Sequence, residues 1–414
     1  MKKLDVCLIS LALMLSILVN LTGCATRVHA TDLMEGYVAN SVEGVEDLSE
    51  GSLEITDFAV RLFQASNEGG NTLISPLSVL CALAMTLNGA EGETREEMEA
   101  TLGMSTEELN NYIYSYINAL PQGEKYKLSL ANSIWFTEDE SFDVNEQFLQ
   151  TNKDYYDADV YAAPFNDRTL KDINSWVKNE TDKMIPKVLD EIPADAVMYL
   201  INALAFEAEW SKIYEKHEVR NGVFTREDGN EENVEFMYST EGSYIESDNA
   251  KGFIKSYKGG KYAFVALLPN EDVSLSDYIA ALDGEKISDL LSNPEYVTVN
   301  AAIPKFENET DIEMSDVLRE MGIEQAFDSD EADFGGLGTS TEGNIYISNV
   351  IHKTFISVAE RGTRAGAVTA VQMNDASAGP TEIKEVYLNR PFVYMLIDTE
   401  TNIPFFIGSQ MSIN

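Results

Sequence analysis

Hydrophobic and polar positions alternate with different periods along the chain, and the period changes mark the elements. From Ile55 the apolar residues Ile55, Phe58, Ala59, Leu62 and Phe63 recur at the spacing of one helical face. Pro76 to Leu87 reads as a second helix, with Ser75 at the cap position and Pro76 in the first turn. Gly89, Gly92 and Thr94 separate it from a third helix that ends near Leu102. Extended and helical segments then alternate: a strand over Tyr126–Phe136, a helix over Val144–Tyr155, a strand over Asp159–Phe165 and a helix over Leu170–Glu180. Val197–Phe206 is almost wholly apolar, as a strand covered on both faces should be. After Trp210 the pattern is mostly extended: Gly222–Thr225, Val234–Met237, Phe253–Tyr257, Tyr262–Leu268 and Val297–Ile303. One helix returns at Glu313–Met321, and the tail is extended at Ile351–Val358, Val386–Leu388, Pro391–Asp398 and Ile403–Ser409. No internal repeat or Gly/Pro-rich linker interrupts residues 54–414. The pattern predicts one large α+β unit.

The start of the chain follows a different logic. Lys2 and Lys3 precede an apolar run from Val6 to Val19, which is short for a membrane span. Leu21-Thr22-Gly23-Cys24 follows directly and resembles a bacterial lipobox, whose cysteine is acylated and becomes the new N-terminus. Residues 1–23 are therefore expected to be a lipoprotein signal, and the protein to be exported and held at a cell surface through Cys24; cleavage near Ala25–Ala30 for plain secretion is the alternative. Residues 24–53 are polar, acidic and poor in aromatics, and read as a flexible tether. With Cys24 lipidated, Cys81 has no disulfide partner and reads as a buried small hydrophobe.

Charge removes one class of function. Seventy acidic residues against 29 basic ones give a formal charge of −41, the opposite of a nucleic-acid binder's footprint. Catalytic motifs are no more forthcoming. His29, His217 and His352 are in no metal-ligand spacing, and no G-x-S-x-G, Walker or G-x-G-x-x-G sequence occurs.

Several blocks together carry a resemblance. They are Asn71-Thr72-Leu73-Ile74-Ser75-Pro76-Leu77-Ser78-Val79, then Asn88-Gly89-Ala90-Glu91-Gly92-Glu93-Thr94, then Asp172-Ile173-Asn174-Ser175-Trp176-Val177. Asn202-Ala203 with Trp210 and Ile303-Pro304-Lys305-Phe306 continue the series. His352-Lys353-Thr354-Phe355, Glu360-Arg361-Gly362-Thr363, Asn389-Arg390-Pro391-Phe392 and Phe405-Phe406-Ile407-Gly408 complete it. In order and spacing the chain resembles the serpins over about residues 54–414. The resemblance implies three β-sheets, eight or nine helices and an exposed reactive-centre loop at about 360–388. It also implies a monomeric, metastable protease inhibitor that uses no cofactor, metal or catalytic group of its own. Ser75, Ser78, Asn202 and His352 would lie under the strands that part, and Trp210 where the loop first enters.

The loop itself can be read residue by residue. A segment that slides between two strands should be small-sided and free of proline, and Gly362 to Gly379 contains no Pro. With Thr363 inward, Ala365, Ala367, Thr369, Val371, Met373 and Asp375 share its face, while Arg364, Gly366 and Val368 point outward. Arg364 stands where the family commonly has an acid. Family spacing puts the scissile bond sixteen residues after Glu360, at Ala376–Ser377, with Met373, Asn374 and Ala378 as neighbours in contention because the loop is about four residues longer than usual. A small residue there suits elastase-like or subtilisin-like serine proteases. The competing reading keeps the fold but makes it a binding module whose loop is cut without trapping.

Overall fold

The computed structural model describes residues 28–121, 123–138, 142–193, 196–341, 343–363 and 383–413. Three large β-sheets and nine α-helices build the described part. The first sheet has seven strands in the order Thr31–Asp32, Asp159–Ala163, Tyr126–Thr137, Met198–Glu209, Gly362–Thr363, Asn349–Ala359 and Phe306–Glu313. We call it the main sheet. A six-stranded sheet runs Thr72–Ile74, Pro404–Gln410, Phe392–Asp398, Tyr262–Pro269, Ala250–Ser256, Ser243–Glu246. A four-stranded sheet runs Ile383–Tyr387, Thr298–Pro304, Glu231–Glu241, Val219–Thr225.

The core lies where the helices meet the first two sheets. The Pro76–Leu87 helix is buried at every position, which its composition dictates: apart from Ser78 and Thr86 it holds only apolar residues. It therefore presents no solvent face and must sit at the centre of the layers. The Tyr262–Pro269, Phe392–Asp398 and Pro404–Gln410 strands are likewise buried along their whole length. The Asp167–Glu180 helix is amphipathic, burying Ile173, Trp176 and Val177 over a second hydrophobic cluster with Trp135, Tyr199 and Ile201 of the main sheet.

Two expectations need correction. Ser75 occupies the cap position of its helix, but its side chain makes no capping hydrogen bond. And residues 28–53 do not behave as a free tether. Thr31–Asp32 pairs antiparallel with the Asp159–Ala163 strand and extends the main sheet at its edge. Leu33 N–H donates to the Val160 carbonyl at 2.9 Å, Met34 is buried in the main core, and Tyr37, Val45 and Leu48 pack against it. The Tyr112 hydroxyl donates to the Leu48 carbonyl at 2.9 Å. The segment's acids face solvent, and its few apolar residues are spaced widely enough to escape a periodicity test; they are nonetheless enough to hold it down. Cys24 and residues 1–23 lie outside the described residues.

Candidate functional site

The main sheet has a discontinuity at its centre. The Met198–Glu209 and Asn349–Ala359 strands run parallel and pair directly only from Tyr199↔Asn349 to Asn202↔His352 among the described residues. Beyond His352 they diverge. At the far end the two-residue strand Gly362–Thr363 sits between them, antiparallel to both, with Thr363 opposite Ala208 and Val358 and Gly362 opposite Glu209 and Ala359. The sheet is thus closed along a short seam at one pole and wedged at the other by the first residues of the segment predicted to be a hinge.

The wedge is fixed by its neighbours. Gly362 is required: a Cβ there would fall 1.9 Å from the Ala208 carbonyl oxygen. Thr363 is buried, facing the core as its alternation predicts, and its hydroxyl bonds the Tyr257 hydroxyl. Burial pushes the Tyr257 phenol well above its ordinary value, so it stays a neutral hydrogen-bonding group. The preceding turn is held on three sides. Trp210 N–H donates to the Arg361 carbonyl at 2.9 Å, its indole Nε1 donates to the Ala359 carbonyl at 2.8 Å, and Tyr214 N–H donates to the Glu360 carbonyl at 3.0 Å. Arg361 pairs with Glu209 at 3.0 Å, and Lys125 reaches the same carboxylate at 3.2 Å. Burial would raise the Glu209 pKa, but these two cations outweigh it and hold it below the ordinary range. Lys305 bridges Glu360 to Glu235 of the four-stranded sheet.

Trp210 is packed for this position. Its ring stacks on Tyr257 with centroids 4.5 Å apart and planes 9° from parallel. Lys255, almost fully buried, lies 5.4 Å from the Trp210 ring and 4.5 Å from the Tyr214 ring, and pairs with Glu241 at 2.6 Å. Burial alone would lower its pKa; Tyr214 and Glu241 outweigh that and keep the ammonium charged.

The closed seam has a different chemistry. His352 is buried and its Nε2 accepts the Ser75 N–H at 3.0 Å, which fixes that nitrogen as unprotonated. Burial drives the imidazole pKa down to about 3. The Ser75 hydroxyl, fully buried beside it, has no hydrogen-bond partner among the described residues. Two residues along the strand, the Thr354 hydroxyl donates to the Leu73 carbonyl at 2.7 Å. Ser78 is buried one turn into the same helix as Pro76. Asn202 stands level with His352 on the neighbouring strand and with Asn132 on the other side.

Of the predicted site residues, Ser75, Ser78, Asn202 and His352 thus cluster at the seam, while Trp210, Glu360, Gly362 and Thr363 cluster at the wedge. Arg364, Ala365, Gly366, Ala367, Val368, Thr369, Ala376 and Ser377 lie outside the described residues, as does Cys24. Sequence reading missed Tyr257, Lys255, Glu209 and Lys125. No local pattern marks them; each is ordinary on its own strand and acquires a role only through what the fold brings opposite it. Among the described residues no group of three or more His, Cys, Asp or Glu could hold a metal ion.

Comparison with known proteins fits this geometry. Residues 53–413 match the family model "Serpin (serine protease inhibitor)". A serpin-like protein of Methanosarcina acetivorans is 30% identical, the match covering 83% of this chain and 81% of that one. Human leukocyte elastase inhibitor is 28% identical over 88% of this chain and 99% of its own length. Among solved structures, the thermophilic serpin tengpin in its native state superposes with a TM-score of 0.89 at 48% identity, covering 93% of this chain and all of that one.

Proposed function

The chain belongs to the serpin family, and we propose that it is a suicide-substrate inhibitor of serine proteases that prefer a small residue at the cut. The observation that carries the reading is the wedge: the hinge already occupies its first two places between the strands that must part.

Continuing the wedge in its own register supplies the rest. Ala365 would meet Phe206 and Ile356, Ala367 would meet Leu204 and Thr354, and Thr369 would arrive between Asn202 and His352, beside the Ser75 hydroxyl that has no partner among the described residues. Arg364 falls outward, opposite Glu207 and Ser357, so its departure from the family's usual acid costs little. Ala365, Ala367 and Thr369, the first inward residues after the wedge, are small, and each insertion step adds backbone hydrogen bonds on both sides.

The chemical step belongs to the target. Its serine hydroxyl attacks the Ala376 carbonyl carbon, the Ala376–Ser377 peptide bond breaks, Ser377 leaves with a free amine, and an ester joins Ala376 to the protease. Insertion of Thr363 to Ala376, roughly 46 Å of extended chain, then carries the acylated protease to the opposite pole before water completes the turnover. The small Ala376 side chain and the likeness to a leukocyte elastase inhibitor favour elastase-like or subtilisin-like targets. The same reading keeps the protein monomeric, exported, and anchored through a lipid on Cys24.

Mixing the protein with an elastase-like protease should give a denaturation-resistant band at the summed mass. The peptide released from it should begin at Ser377. Thr363→Arg, which forces a charge into the Tyr257 site, should be cut with little trapping. Clean cleavage of the wild type without any such band would instead mean a binding module whose loop is merely a substrate.

A further inference from the structure

In the loop-inserted form, the segment before Thr31 and the end of the inserted loop would leave the main sheet at the same pole. Thr31, Ala162, Phe136 and Met198 form one row across four adjacent strands. In the register of the wedge, Met373 would complete that row on the far side of Met198. Thr31 and an inserted Met373 are then four strand spacings apart, about 19 Å. Both run outward past this row. The Thr31–Asp32 strand is antiparallel to Asp159–Ala163, so residues before Thr31 continue beyond Ala162. Ala376, the attachment point of the trapped protease, lies three residues beyond Met373, just as Val28 lies three residues before Thr31.

Val28 and Ala30 are packed against the cluster under the Asp167–Glu180 helix, and His29 N–H donates to Asp172 at 3.0 Å. Only residues 25–27 separate this packed segment from Cys24. Four residue steps span at most about 14 Å. A lipid on Cys24 therefore holds that pole close against the bilayer. A protease of roughly 230 residues is about 45 Å across, and it is delivered to that same pole. It does not fit beneath a leash of that length.

We propose that residues 28–51 are a releasable strap: packed, they seat the domain on a lipid surface with the loop-bearing pole outward, and they peel from the sheet edge when a trapped protease arrives. Peeling to Ser52, where the first described helix begins, lengthens the leash to about 95 Å. The holding contacts suit release, being a two-residue strand, a few hydrogen bonds such as the Asn40 side chain to Asp154, one buried methionine, and the half-buried Leu33, Tyr37, Val45 and Leu48. This inference rests on the lipid-anchor and loop-insertion readings above.

The test pins the strap. Thr31→Cys with Ala162→Cys, oxidised to a cross-link, is made in the full lipidated chain and in a Cys24→Ser background. Trapping of an elastase-like protease is measured on phosphatidylcholine vesicles and in solution. In solution the Cys24→Ser protein should trap equally with and without the cross-link. On vesicles the cross-linked protein should need at least tenfold more inhibitor per protease trapped, and reductant should restore it. Equal trapping on vesicles with and without the cross-link would overturn the strap. A full chain that does not partition onto vesicles overturns it through the anchor. If the Cys24→Ser protein traps nothing in solution, the inhibitory reading falls and the strap with it.

Discussion

His352 gives the sharpest test of the seam. It is neutral in the folded chain, with its pKa driven down to about 3 by burial, whereas an unfolded-chain imidazole titrates near 6.5. The unfolded state therefore takes up the proton first, and stability falls as the pH drops. The contribution of the neutral ring is complete above about pH 7, declines below about 6.5, and goes on declining towards 3. At pH 5.0, about 1.5 units below the free value, proton uptake favours unfolding by about 2 kcal/mol at 1.36 kcal/mol per unit. His352→Gln keeps a group able to accept the Ser75 N–H but cannot titrate. At pH 7.5 the variant should be less stable by about 1–2 kcal/mol through imperfect packing and bonding. At pH 5.0 that gap should close or reverse, because only the wild type meets the proton penalty. Urea unfolding followed by tryptophan fluorescence, on samples whose loop is intact by mass spectrometry, reads both values. The many carboxylates titrate in both proteins and cancel in the difference. A gap that is the same at the two pH values would refute a buried neutral His352 and the seam chemistry built on it.

Three further outcomes follow from the geometry. Gly362→Ala drives a methyl group into the Ala208 carbonyl; it should displace the wedge, and a titration against protease should show cleavage gaining over trapping. Trp210→Phe removes the hydrogen bond to the Ala359 carbonyl and should cost about 1–3 kcal/mol in urea unfolding, with the turn at Glu360 exchanging its amide hydrogens faster. Met34→Ala should cost about 2–3 kcal/mol because that side chain is buried in the core; a free tether would show no change in the same unfolding curve.

Much of the fold could be read from period alone, and the reasons are local. The Pro76–Leu87 helix has sharp limits because Pro76 and Asn88 punctuate an apolar run, and the strand from Tyr126 alternates clearly enough to be found within a residue of its end. The helices Thr106–Ala119, Leu275–Ala280 and Gly284–Ser292 escaped notice because tyrosines, asparagines and acids dilute their apolar stripes. The Phe306–Glu313 strand was missed for the opposite reason: it alternates, but its outward positions Glu307, Glu309, Asp311 and Glu313 are all acids. At the candidate site, Thr363 was placed correctly because strand alternation is strictly twofold. Its partner Tyr257 lies 106 residues away, and no pattern in one chain reports that distance. The strap fell between these cases, since Met34, Tyr37, Val45 and Leu48 are scattered through an acidic stretch and mark no single face.

The turn at Glu360–Arg361 is pinned by Lys305, Glu209, Trp210 and Tyr214 before anything is cut. On the inhibitory reading this means the severed end never has to search for its slot, like a zip whose slider is already mounted on both rows of teeth. Speed then depends on how readily the four-pair seam ending at Asn202 and His352 gives way, and evolution could retune the race against hydrolysis by altering that seam without touching the bait.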